Sequence, residues 1–106
     1  MIRAWLVAFA FTQLVEVPIY TMALRVRTWI AFGASAITHP IVWFVIPRFG
    51  LSYLTMVVVA ELFAWLAEAA YFAFAFRKKR ALLWSLIANG ASFGLGMLSR
   101  ALIGAP

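Results

Sequence analysis

Four long apolar segments, separated by short polar connections, make up nearly the whole chain. They cover residues 4–24, 28–46, 51–76 and 81–103. An apolar stretch of about 20 residues is long enough to cross a bilayer as one helix. The pattern predicts an all-α integral membrane protein, a single transmembrane domain over residues 1–106 folded as a four-helix bundle. Because each connection is short, we expect consecutive helices to be antiparallel neighbours.

The composition agrees with a lipid environment. Of the 106 residues, 67% are hydrophobic and only 11% are charged, whereas a soluble domain carries about 25% charged residues. The net charge of +6 comes from basic residues clustered between apolar segments, where lipid headgroups lie, so we expect no nucleic-acid partner. The chain has no cysteine, which excludes disulfides and thiolate metal sites.

The basic residues predict an orientation. Six of the nine lie in the connections at residues 25–27 and 77–80, and the others are Arg3, Arg48 and Arg100 at the opposite end. The positive-inside rule places the six in the cytoplasm and both termini outside. We expect a bacterial inner membrane protein whose first apolar segment is retained as a helix.

All three acidic residues, Glu16, Glu61 and Glu68, lie inside apolar segments. A carboxylate at the centre of a membrane helix costs about 2.5–3.5 kcal/mol on insertion scales. Such residues are rare in membrane spans and commonly mark functional sites, so they are the first candidates here.

The two halves of the chain share a first pattern. Glu16 precedes Arg25 by nine residues, and Glu68 precedes Arg77 by nine residues. With a rise of about 1.5 Å per residue, both glutamates would lie about 13 Å from the basic connections. The two carboxyl groups are therefore expected at one depth.

A second pattern links the other helix of each half. Ser35 and Thr38 match Asn89 and Ser92 in spacing, and Pro40 matches Gly94 two residues later. Because the repeated unit is two helices, the halves would run the same way through the membrane as two parallel repeats.

Helical spacing places a set of polar and aromatic residues on inward faces near the bilayer middle. The leading candidates for binding a ligand or a proton are Glu16, Tyr20, His39, Glu68, Tyr71 and Asn89. A second group, less central or less reactive, consists of Gln13, Ser35, Thr38, Glu61 and Ser92. In the last segment Gly90 and Gly94 form a GxxxG pattern, which is typical of close helix packing.

Two prolines lie within predicted helices. Pro18 frees the carbonyl of Leu14, and Pro40 frees that of Ala36, because proline has no N–H to donate. In lipid, freed carbonyls need partners or must line a cavity. An ordinary proline kink and a cavity beside the ionisable residues are both open interpretations.

The candidate residues suit proton or cation chemistry better than catalysis. A Glu–His pair in a membrane can relay protons, or release one when a cation binds. Glu16, His39 and Glu68 are the residues that would bind a divalent metal, but their spacing matches no metal motif. No nucleophile stands beside a base in a known pattern. We therefore predict no catalytic residues and no cofactor.

In size, helix count and a glutamate in the first helix, the chain resembles the small multidrug resistance transporters. Val15-Glu16-Val17-Pro18 stands where that family has A-E-x-x-G, and the connections carry a clear charge bias. The resemblance covers only size and one residue, and it implies no residue roles.

The leading hypothesis is a membrane protein that binds or transports a small cation, a proton or a polar-headed ligand at a mid-membrane Glu/His/Asn site. The alternative is an accessory or scaffold subunit whose polar residues hold helices together. A membrane enzyme of lipid metabolism is a remote third. The expected partners are the lipid bilayer and either a second copy of the chain or another membrane protein.

Overall fold

The computed structural model describes residues 2–103. It is all-helical and confirms the predicted four-helix bundle, with α1 at Ile2–Ala23, α2 at Thr28–Pro40, α3 at Tyr53–Ala70 and α4 at Ala81–Ile103. Helices α1 and α3 each pack against both α2 and α4. The four helices therefore form a square in which α1 faces α3 diagonally. Residues 1 and 104–106 lie outside the described part, so the placement of the termini stays a prediction.

Two of the helices continue past their α-helical ends. After Pro40, α2 widens into a π-helical turn at Ile41–Val45 and ends in a 3-10 turn at Ile46–Phe49. Helix α3 continues as a π-helical turn at Tyr71–Ala75. With these turns, each of the four helices is long and apolar enough to cross a membrane.

The helix ends differ from the predicted bounds for local reasons. Helix α3 begins at residue 53 rather than 51 because Ser52 caps it, its hydroxyl accepting from the N–H of Thr55 at 3.3 Å. The connection before it turns at Gly50, which has a φ of 71°. Arg25 follows the end of α1, and Arg77 follows the π-helical continuation of α3; both are in the left-handed region, with φ of 56° and 53°.

Seven polar side chains of the described residues are buried in the interior among small and aromatic apolar ones, and many large apolar side chains lie on the outside. The buried residues of α1 are Gln13, Glu16 and Tyr20, the three that their spacing assigns to one face. Large aliphatic side chains such as Leu14 and Leu54 are mostly exposed. This distribution is the reverse of a soluble bundle and suits a lipid surround.

The glycines divide by environment. A Cβ at Gly33 would collide with the Tyr71 hydroxyl group, so this glycine allows α2 and α3 to approach. A Cβ at Gly90 or Gly94 would meet nothing within 4 Å. The GxxxG pattern of α4 therefore does not pack against the rest of the described chain, contrary to the packing that the pattern suggests.

Candidate functional site

Two carboxyl groups lie at the centre of the bundle. Glu16 on α1 and Glu68 on α3 face each other across the diagonal and are only 1% and 2% exposed. Their carboxyl groups are close enough to interact directly. Because the two carboxyl groups interact directly, they lie at one level of the bundle.

Three neutral donors surround Glu68. The Tyr20 hydroxyl donates to its Oε1 at 2.6 Å, and the Asn89 amide donates to the same atom at 3.2 Å. The Thr38 hydroxyl donates to Oε2 at 2.7 Å. Helices α1, α2 and α4 therefore each supply one donor to a carboxyl group of α3.

Glu16 has a matching arrangement. The Ser35 hydroxyl on α2 donates to Oε1 at 2.8 Å, and the Ser92 hydroxyl on α4 donates to Oε2 at 2.6 Å. Within the described residues, the groups that hydrogen-bond to the two carboxyls are hydroxyls, one amide and each other, and none is basic. The pair therefore has no countercharge from the protein.

An aromatic contact closes the site toward the basic connections. The rings of Tyr20 and Phe72 are 4.4 Å apart between centroids, and both residues are fully buried. Leu24, Val26 and Ala81 belong to the same apolar cluster nearer that end. These buried apolar side chains lie between the glutamates and the basic connections.

A cavity of about 500 Å³ approaches the glutamates from the other end. Its deep end includes Glu16, Glu68 and Asn89, and its far end includes Pro47 and Arg100. A volume of this size is typical of small-molecule sites. The walls are mostly apolar, and the polar side chains are few and concentrated at the base.

His39 is not brought to the glutamates. Its Nε2 lies 3.3 Å from the Thr12 hydroxyl, and its ring packs among those of Trp5, Phe9 and Trp43. Its Nδ1 is buried without a hydrogen-bond partner among the described residues. His39 lines the cavity, but it is not part of the carboxyl pair.

Tyr71 and Gln13 also point elsewhere. The Tyr71 hydroxyl donates to the carbonyl of Ile30 at 2.8 Å. The Gln13 amide donates to the carbonyl of Phe32 at 3.2 Å. Both side chains join helices rather than contribute to the central pair.

Glu61 lines the cavity wall and is part-buried. Among the described residues it makes no side-chain hydrogen bond, in contrast to Glu16 and Glu68. It lies seven residues before Glu68 on α3, which is about 10 Å along the helix. It is therefore the glutamate whose carboxyl group is left free inside the cavity.

Neither Pro18 nor Pro40 lines the cavity. Pro18 is exposed on the outer face of α1, and the helix stays α-helical through it. Pro40 precedes the π-helical turn that carries Val42 and Trp43 to the cavity wall. The cavity interpretation thus gains support only for the region after Pro40.

The described residues contain no cluster of His, Asp and Glu that is arranged to hold a metal ion. The metal alternative built on Glu16, His39 and Glu68 gains no support, because the His39 ring lies among aromatic rings.

Three residues of this region were not among the sequence candidates. The Ser85 hydroxyl donates to the carbonyl of Trp65 at 2.8 Å, and the Ser85 carbonyl accepts from the Asn89 amide at 2.9 Å. The Thr12 hydroxyl is hydrogen-bonded to the His39 ring, and Arg100 lines the far end of the cavity. Ser85 precedes Asn89 by four residues, one helical turn, so spacing alone would place it on the same face of the last helix.

Comparisons of this chain with known protein families, curated proteins and solved structures find no match.

Proposed function

We propose that the chain is a transporter-like membrane protein that binds a small polar-headed ligand in the central cavity and exchanges a proton at the Glu16–Glu68 pair. The cavity carries the proposal, because it joins one end of the bundle to two contacting carboxyl groups that have only neutral donors.

The chemistry follows from the missing countercharge. Two carboxylates in contact inside an apolar interior repel each other, so the pair holds a proton between its oxygens. When a ligand with a cationic group enters, one O–H bond of the pair breaks and the proton leaves to water. The resulting carboxylate is then available to pair with the cationic group of the ligand.

The proposal includes insertion in a membrane, with the basic connections in the cytoplasm. The positive-inside rule and the exposed apolar surface support this orientation. The mouth of the cavity near Arg100 then faces the outside, as do the termini. The fully buried contact between Tyr20 and Phe72 lies on the cytoplasmic side of the glutamates.

We also propose that the two halves are parallel repeats. In the shared spacing, Ser35 matches Asn89 and Thr38 matches Ser92. Each glutamate accepts from the first position of its own half, Ser35 for Glu16 and Asn89 for Glu68. Each also accepts from the second position of the other half. A twofold axis between the carboxyl groups would produce this crossed pattern.

The test is proton-linked binding of phenethylamine, a small protonated amine with an apolar body, to the protein in nanodiscs. Equilibrium dialysis across a pH series gives the proton dependence of affinity. We expect Glu16→Gln and Glu68→Gln to remove this dependence while circular dichroism shows a folded bundle. The matched control is Thr21→Val, because that hydroxyl bonds only to the carbonyl of Pro18 in its own helix. Unchanged proton dependence in both glutamine variants would refute the proposal.

An accessory or scaffold subunit is the second candidate. Gly90 and Gly94 favour it, because both are exposed and a Cβ at either would meet nothing within 4 Å in the described chain. A groove of this kind accepts a partner helix closely in a membrane. Mild extraction from native membranes should then recover a stoichiometric partner, whereas a chain recovered alone contradicts this candidate.

A further inference from the structure

The outer half of the cavity holds two side chains of opposite charge. Glu61 on α3 and Arg100 on α4 both line it, and neither is in an ion pair within the described residues. The two therefore face one space without neutralising each other. No other residue with a formal charge lines the cavity above the Glu16–Glu68 pair, among the residues that the structure describes.

Their depths can be compared along the helices. Glu61 is seven residues from Glu68, about 10 Å along α3, and Arg100 is eleven residues from Asn89, about 16 Å along α4. The Asn89 amide donates a hydrogen bond to Glu68, so these two residues lie at about the same depth in the bundle. Glu61 and Arg100 thus differ in depth by about 6 Å, a distance that one ligand bearing both charges can bridge with flexible side chains.

The walls beside these charges are apolar and partly aromatic. Val42, Trp43, Val57 and Met97 line the cavity between its mouth and its base. Such walls bury an apolar body, while a few polar groups fix its orientation. An ammonium group would pair with Glu61, and a carboxylate or phosphate would pair with Arg100, whose planar guanidinium suits oxyanions.

Resting on the proposed function, we infer that the ligand is an amphipathic zwitterion, an ammonium and an anionic group on an apolar body, and that Glu61 and Arg100 form its loading position. In this arrangement the Glu16–Glu68 pair at the base of the cavity exchanges the proton, and it does not make the first contact with the ligand. Glu61 is the binding carboxylate because, unlike the central pair, it has no donor from the protein.

The test uses three probes with one aromatic body: phenylalanine, phenethylamine and 3-phenylpropanoate. Binding to the protein in phosphatidylcholine nanodiscs is measured by equilibrium dialysis. Phenylalanine should bind most tightly. Glu61→Gln should weaken phenylalanine and phenethylamine by at least tenfold and spare 3-phenylpropanoate, because a charge-assisted hydrogen bond is lost. Arg100→Gln should weaken phenylalanine and 3-phenylpropanoate and spare phenethylamine.

Two conservative variants separate charge from shape. Glu61→Asp and Arg100→Lys keep the charges and should retain most of the phenylalanine affinity. The inference would be overturned if phenylalanine and phenethylamine bound with equal affinity, or if Arg100→Gln bound all three probes normally. Arg100 would then be assigned to contact with lipid phosphate groups instead.

Failure of this inference is distinguishable from failure of the proposed function. Val57→Trp should fill the cavity and abolish binding of all three probes. One outcome refutes only the zwitterion inference: the probes bind and Val57→Trp abolishes their binding, but Glu61→Gln weakens all three equally. The cavity would then still be the binding site. If Val57→Trp changes nothing, the cavity itself is not the binding site and both fall. Nanodiscs of phosphatidylethanolamine identify the source: competition with phenylalanine supports a lipid headgroup, and no competition supports a free solute.

Discussion

The Tyr20 hydroxyl donates a 2.6 Å hydrogen bond to the Glu68 carboxyl, which lies 48 residues further along the chain. Both residues are almost completely buried. A buried polar group in an apolar interior is costly to leave without a partner. This bond therefore links the stability of the bundle to the state of the central carboxyl pair.

Tyr20→Phe removes this donor and keeps the ring against Phe72. We expect the free energy of unfolding to fall by about 1–3 kcal/mol, since Glu68 loses its shortest hydrogen bond. Unfolding in mixed detergent micelles, followed by circular dichroism, measures the change. Tyr53→Phe is the matched control, because Tyr53 is 67% exposed. If the two variants lost the same free energy of unfolding, the Tyr20 hydroxyl would contribute no more to stability than an exposed one.

The crossed hydrogen bonds predict that hydroxyl groups can be exchanged between the halves. Thr38→Ser and Ser92→Thr each keep a donor to the opposite glutamate and should cost less than about 1 kcal/mol. Thr38→Val and Ser92→Ala remove the donor and should cost about 1–3 kcal/mol. The same unfolding assay compares all four. If the swaps cost as much as the removals, packing rather than the donors controls these positions.

The helices and their inward faces could be predicted because both depend on local periodicity. Apolar length predicts a membrane span, and three- to four-residue spacing places Gln13, Glu16 and Tyr20 on one side of α1. The common depth of Glu16 and Glu68 follows from counting residues to the basic connections. Counting residues does not give the lateral position of α1 relative to α3, whereas the contact between the two carboxyl groups does.

The rest depends on choices between neighbouring residues. Successive residues of a helix point about 100° apart, so Thr38 and His39 cannot both face Glu68. In the structure Thr38 faces Glu68 and donates to its carboxyl group, whereas the His39 ring lies within an aromatic cluster. In α3, Phe72 meets Tyr20 while Tyr71 turns to α2. Spacing alone permits either residue of such a pair to face inward.

The sequence predicts Glu61 only as a second-group candidate, and the loading position that we propose for it could not be predicted. It has no counterpart in the first half, where the position matching it by the 52-residue offset of Glu16 and Glu68 holds Phe9. Its position in the cavity depends on where side chains leave space, which is a property of the packed bundle.

Gly33 predicts a strong effect of a single methyl group. Gly33→Ala would place its Cβ against the Tyr71 hydroxyl, so that Tyr71 must move and lose its bond to Ile30. We expect a loss of about 1–3 kcal/mol in the free energy of unfolding. Adding Tyr71→Phe removes the colliding oxygen and should recover part of the loss, giving a non-additive double-mutant cycle.

Gly90→Ala and Gly94→Ala are the matched controls, since a Cβ at either position meets nothing within 4 Å. Alanine should stabilise the helix by up to about 1 kcal/mol. A marked destabilisation, together with a change of oligomeric state by light scattering, would instead show that a second chain occupies this face of α4.

Two of the three arginines with positive φ predict a gain in stability on substitution. Arg25 and Arg77 follow the ends of α1 and α3 with φ of 56° and 53°, where glycine is the favoured residue because it has no Cβ. Arg25→Gly and Arg77→Gly should each raise the free energy of unfolding by about 1 kcal/mol. Arg27→Gly removes the same charge at a φ of −68° and should change it by less than about 0.5 kcal/mol. If all three variants behave alike, the effect comes from charge and not from the backbone. A gain of similar size at Arg25 and Arg77 alone would mean that the two halves end their first helices in the same way, nine residues after each central glutamate, as parallel repeats require.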